Sequence, residues 1–144
     1  MIQEDTIQLL RECDAGVAMG ISAIDQVMDA AKSQSLRDAL ARCRTEHEQL
    51  QKEVVEALHR FHDEGKEPNP IAQGMSWMKT GAMLTMKESD ATIADLITDG
   101  CNMGVKSLNR YLNQYEAASE DAKDITKRLI ALEEKLAEDI RRFL

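Results

Sequence analysis

Three ionisable side chains fall where an apolar one is expected, and any chemistry of this chain would have to be built from them. Asp14 lies between Leu10 and Val17, His47 between Cys43 and Leu50, and Glu133 between Leu129 and Leu136. A histidine and a glutamate taken into an apolar core must pair or bind something, because an isolated buried charge is expensive. His47 with Glu133 therefore reads either as a satisfied core hydrogen bond that fixes helix register or as a reduced metal site, short of the four ligands zinc usually takes. A third arrangement leaves Glu133 in solvent and puts Leu132 in the core. Asp14 stands roughly 9 Å along its helix from the level of His47, which suits pairing with a nearby basic residue or marking a bundle edge. Glu56, His59 and His62, followed by Glu64, have metal-ligand spacing but also read as the polar face of a solvated helix.

Met75, Met78, Met83 and Met86 place thioethers at a spacing that suits Cu(I), whereas Ile71, Met75, Met78, Ala82 and Met86 equally form a packing stripe. Trp77 and Leu84 lie off that stripe and are expected at an interface with a protein partner. The cysteines Cys13, Cys43 and Cys101 are an odd set outside any CxxC pairing, in keeping with reduced thiols serving as small core residues. There is no glycine-rich phosphate loop, no nucleophile elbow and no Ser/His/Asp arrangement on turns. No catalytic residue and no cofactor is assigned, and an enzyme is the weaker expectation.

The elements that must position these groups are four long helices. Apolar residues at Ile7, Leu10, Val17, Ile21, Ile24, Met28 and Ala31 mark a first helix of about 28 residues, roughly 42 Å long. Ser35 and Asp38 resemble a capping box for the second. Its heptad stripe runs Leu36, Leu40, Cys43, His47, Leu50, Val54, Ala57 and Phe61, with Gly65 as the stop. Asn69 and Pro70 open a short helix within the crossover that follows. A third helix runs from Asp90 to Glu116 with Ile93, Ile97, Gly104, Leu108, Tyr111 and Tyr115 inward. Ser119 caps a fourth, carrying Ile125, Leu129, Leu136, Ile140 and Phe143. The tight first turn makes helices one and two antiparallel, and the long crossover makes two and three parallel.

An internal repeat agrees with this topology. Gly16-Val-Ala-Met19-Gly20-Ile-Ser-Ala-Ile24-Asp25 matches Gly100-Cys-Asn-Met103-Gly104-Val-Lys-Ser-Leu108-Asn109, and residues 43–54 weakly match 129–140. Two similar helix pairs would be related by a pseudo-twofold axis, with His47 and Glu133 equivalent and near it. Glycine in mid-helix costs about 1 kcal/mol against alanine, so a close approach of helices one and three is the expected compensation.

Two helix pairs, a long crossover and this duplication resemble the ferritin-like four-helix bundle. More closely, IADLITDGCNMGVKSLNRYLNQY with the terminal ALEEKLAEDIRRFL is similar to an uncharacterised Firmicutes family of ferritin-like domains. The resemblance implies a fold and no activity. Ferritin-like enzymes hold two metals with a Glu from each of two helices and a Glu-x-x-His from each of the others. Here the middle of the first helix is Gly16 to Gly20, that of the third is Gly100 to Gly104, and the fourth has no histidine. Glu56 and His59 alone carry the motif, toward a helix end. The resemblance therefore implies a bundle that has lost its di-metal site.

Composition bounds the rest. The chain has 144 residues, 43% hydrophobic, 31% charged and only 3% aromatic, as suits one all-α domain over 1–144 and not a β-sandwich or barrel. A net charge of −8 repels phosphate backbones and anionic headgroups, so no nucleic-acid or membrane partner is expected. No apolar run reaches the roughly 18 residues of a membrane span, and MIQEDTIQLL lacks a basic leader, which points to the cytoplasm. The resulting expectation is a homo-oligomeric, dimeric structural or interaction module. The alternative is a metal or redox protein using His47 and Glu133 or the methionine-rich segment.

Overall fold

The computed structural model describes residues 2–63 and 89–144. The expected crossover helix with its methionines, Trp77 and Leu84, as well as Glu64 and Gly65, lies outside the described residues. Four helices account for most of the rest: α1 (Ile2–Met28), α2 (Gln34–Arg60), α3 (Asp90–Gln114) and α4 (Glu120–Ile140), closed by a 3-10 turn at Arg141–Phe143. No strand occurs among the described residues. Among the described residues no helix is long and apolar enough to cross a membrane.

The order of the helices around the bundle is α1, α2, α4, α3, with α2 and α3 at opposite corners and α1 and α4 meeting across the short diagonal. Direction follows from contacts at the ends. The Asp90 carboxylate at the start of α3 accepts from the amides of Lys32 and Ser33, just before α2, at 2.7 and 2.9 Å. At the other end Asp5 accepts from the Ala117 amide at 3.1 Å, and the Thr6 hydroxyl from the Ser119 amide at 2.8 Å. α2 and α3 thus start at the same end and run parallel, as do α1 and α4. Asp63 and Ser89 therefore stand at opposite ends of the bundle.

The apolar stripes read from the sequence face inward. Leu36, Leu40, Cys43, His47, Leu50, Val54 and Ala57 of α2 are all buried, as are Ile125, Leu129, Leu136 and Ile140 of α4. Leu9, Val27 and Leu58 are buried as well, widening the stripes into the broad face a globular bundle needs. The core divides into two apolar clusters. One holds Leu10, Val17, Leu50, Leu108 and Leu129. The other holds Ile24, Cys43, Cys101 and Leu136. The change from one cluster to the other falls at His47, Gly104 and Glu133 on α2, α3 and α4, and just past Gly20 on α1.

Two helix boundaries differ from expectation. The capping box at Ser35 and Asp38 is absent: both lie inside α2, Ser33 holds the N-cap position with no side-chain cap bond, and Asp38 accepts from Gln34 instead. Asp90 stabilises this turn from another helix, since one ionised carboxylate satisfies two amides at once. Ser119 does cap α4, accepting from the Ala122 amide, and Ser89 caps α3 in the same way. At the other end of α2 the stop is not Gly65. The Asp63 amide bonds the Leu58 carbonyl and the His62 amide the His59 carbonyl, the pairing of a Schellman motif, with His62 at φ 58° in the left-handed position usually given to glycine.

His62→Gly should therefore raise stability by about 1 kcal/mol, because it removes the clash of Cβ in a left-handed residue. Val at the same position should lower it. Urea unfolding of the three chains checks both signs.

Candidate functional site

His47 and Glu133 meet in the middle of the bundle. Nε2 of His47 lies 2.9 Å from Oε1 of Glu133; the histidine side chain is 1% exposed and the glutamate 12%. This settles the choice between Glu133 and Leu132: the glutamate turns inward, and Leu132 packs half-buried beside the first cluster. The other ring nitrogen, Nδ1, lies 2.8 Å from the Cys43 carbonyl of the preceding turn, with the Cys43 thiol at 3.4 Å. A carbonyl oxygen only accepts, so Nδ1 carries a proton and donates it. Both ring nitrogens are thereby committed, one to the backbone of α2 and one to a carboxylate of α4.

Burial by itself lowers the affinity of His47 for its second proton. It is outweighed by the hydrogen bonds to Cys43 and Glu133 and by the Glu133 charge, which lift the pKa from 6.5 to about 10. Near neutral pH the pair is an imidazolium against a carboxylate. Cys101 of α3 is buried close enough to Glu133 to feel its charge. Burial first, and then the Glu133 charge, push that thiol well above the ordinary cysteine range. Cys13, in the first cluster, is raised to about 11, chiefly by burial, and sits 3.2 Å from the Thr126 hydroxyl. All three cysteines are buried and free.

The glycines serve this layer, which corrects the expected close approach of α1 to α3. A Cβ at Gly20 would stand 2.8 Å from Nε2 and 2.9 Å from Cδ2 of His47, so the imidazole rests directly on the α1 backbone. A Cβ at Gly104 would stand 3.7 Å from the Glu133 carboxylate, and one at Gly16 3.6 Å from Leu129 of α4. At Gly100 it would meet nothing within 4 Å. Space for the His47 ring, and not helix contact, accounts for Gly20, whereas at Gly104 a Cβ would make ordinary contact with Glu133.

The remaining sequence candidates do not join the site. Asp14 is half-buried on α1, while His59 and His62 are exposed at the end of α2, with Glu56 exposed as well. Among the described residues no group of three or more His, Cys, Asp and Glu side chains is arranged to hold a metal ion. Cys101 is the member that sequence reasoning missed as part of the layer. Its one signal was its place on α3, three residues before Gly104 in the repeat. No family model, curated protein or solved structure matches this chain.

Two outcomes follow from the geometry. Gly20→Ala should destabilise by about 2 kcal/mol, because the ring has no room to retreat in a packed core. Gly100→Ala should instead stabilise by up to about 1 kcal/mol through helix propensity alone, with Gly104→Ala between them. Thermal unfolding of the three variants would show that order.

The second outcome concerns pH. Folded chain holds the His47 proton up to about pH 10, whereas unfolded chain releases it near 6.5. The stabilisation is thus complete below about pH 6.5 and is lost as pH rises, with a slope of at most about 1.4 kcal/mol per unit. Urea unfolding between about pH 6.5 and 8.5, below the ordinary thiol range, should show this decline in the native chain and its loss in His47→Gln.

Proposed function

We propose that this chain is a non-enzymatic bundle of the ferritin-like type, of the kind its resemblance to the Firmicutes family implies, and that it acts as a homo-oligomeric structural or protein-interaction module. The observation that carries this reading is the commitment of His47. Its ring is charged near neutral pH, donates from both nitrogens, and is walled in by the α1 backbone at Gly20. A histidine with no free lone pair is neither a general base nor a metal ligand. The helix order and directions support the ferritin-like assignment. Glycine on α1 and α3 and a single His–Glu contact between α2 and α4 occupy the level where such enzymes gather carboxylates. The outward side chains of Met103, 69% exposed, and Met19, 39% exposed, supply apolar surface for a protein contact.

Elemental analysis after incubation with iron, zinc, manganese and copper under reducing conditions, followed by sizing with light scattering, tests this. The expected result is below about 0.1 metal per chain and a mass of two or more chains. Close to one metal per chain, lost on His47→Ala and kept on His59→Ala, would replace this reading with that of a metal protein.

A further inference from the structure

The hydrogen bonds at the two ends of the bundle repeat one another. Asp5 accepts from the amide of Ala117, and Asp90 from that of Lys32. Each hairpin thus clasps the turn of the other with an aspartate near the start of its first helix. Gly20 and Gly104 correspond at mid-helix, and each borders one member of the pair. His47 and Glu133 are likewise counterparts, and they are the two that touch. The α1–α2 and α3–α4 hairpins thus present like surfaces to each other, differing at the central contact in the sign of the charge.

From this we infer that His47 and Glu133 are a pairing code: they make the α1–α2 hairpin take an α3–α4 hairpin as its partner, in its own chain or in a second copy, and reject a hairpin of its own kind. Like surfaces related by a twofold axis can also associate with themselves. Two α1–α2 hairpins joined in that way would set His47 against His47, and two α3–α4 hairpins Glu133 against Glu133. Each is a buried like-charge contact without the hydrogen bond between His47 and Glu133, a penalty that acts only on the wrong partner. Surface charge does not supply this discrimination. The α1–α2 contact of Arg44 with Asp25 and the α2–α4 contact of Arg128 with Glu53 are exposed and worth little. The partner hairpin need not lie in the same chain, because residues 64–88 could extend to roughly 80 Å, about twice the length of α2.

Two full-length variants test the code. H47E carries Glu at both positions and E133H carries His at both, so each is mispaired within its own chain. Each should lose roughly a hundredfold or more in its folding equilibrium constant, as expected when a buried charge loses its partner. Refolded together from denaturant in equal amounts, the two chains can exchange hairpins. One bundle then regains His47 with Glu133 and the other holds the reversed pair, for which Gly104 leaves room as Gly20 does. The expected result is a species of one chain of each kind by native mass spectrometry, with a urea midpoint well above that of either variant alone. Association through an outer surface would leave both bundles mispaired and the midpoint unmoved. The single chain H47E/E133H should recover most of the lost stability without a second variant. A mixture that unfolds where its components do, a doubly substituted chain no more stable than the single variants, or single variants as stable as the native chain would each overturn the inference.

Discussion

One buried imidazolium constrains the rest of this bundle. A charged ring at 1% exposure is tolerable only when each of its N–H groups has an acceptor, and the two acceptors come from different places. The Cys43 carbonyl is intrahelical and comes with the α-helix, one turn before His47. Glu133 belongs to α4, so the register of α4 against α2 is set to within the tolerance of a hydrogen bond. α3 passes the same carboxylate at Gly104. α1 contributes by omission, since any side chain at position 20 would occupy the space of the ring. A single residue on one helix thereby dictates what stands on the other three.

Other polar contacts act at the ends, and their distribution explains why the apolar core can be made of interchangeable aliphatic residues. Leucine against leucine tolerates a shift of one turn with little change in buried area, whereas a carboxylate facing two amides does not. Asp90 fixes the α1–α2 turn at one end, and Asp5 with Thr6 fixes the α3–α4 turn at the other. Between them lie the two apolar clusters, separated by the polar layer. Most of the stabilisation comes from burying those clusters, and the uniqueness of the arrangement from the three polar levels.

Helix number, the inward stripes and the meeting of His47 with Glu133 were legible because they rest on periodicity and on repeat equivalence, both properties of a string. Seven residues of α2 at alternating spacings of four and three define a face without knowledge of any neighbour. What was not legible depends on a neighbour. Ser35 followed by Asp38 has the right spacing for a capping box, but spacing carries no record of an aspartate far along the chain whose carboxylate already holds the turn. Gly65 was the natural stop for α2, yet the helix ends earlier because the backbone accepts His62 in a left-handed conformation. The glycines were read as a helix contact since glycine signals closeness without saying to what; only the position of the His47 ring shows that a side chain, and not a backbone, is what comes close.

The same burial that makes the pair structural also withholds its chemistry. A histidine serves as a base when its pKa lies near the working pH and one nitrogen is free to accept. Here desolvation, which alone would have favoured the neutral ring, is overcome by Cys43 and Glu133, and the ring stays charged. The neighbouring Cys101 thiol moves the opposite way in reactivity: buried and next to a carboxylate, it holds its proton and is a poor nucleophile. An imidazole, a carboxylate and two thiols stand together at mid-bundle, and the proton arrangement that satisfies all of them leaves no unpaired donor or acceptor on the histidine for a ligand to use. Four side chains of three types that commonly do chemistry are gathered there, and what the closed hydrogen bonds of the histidine yield is a fixed register.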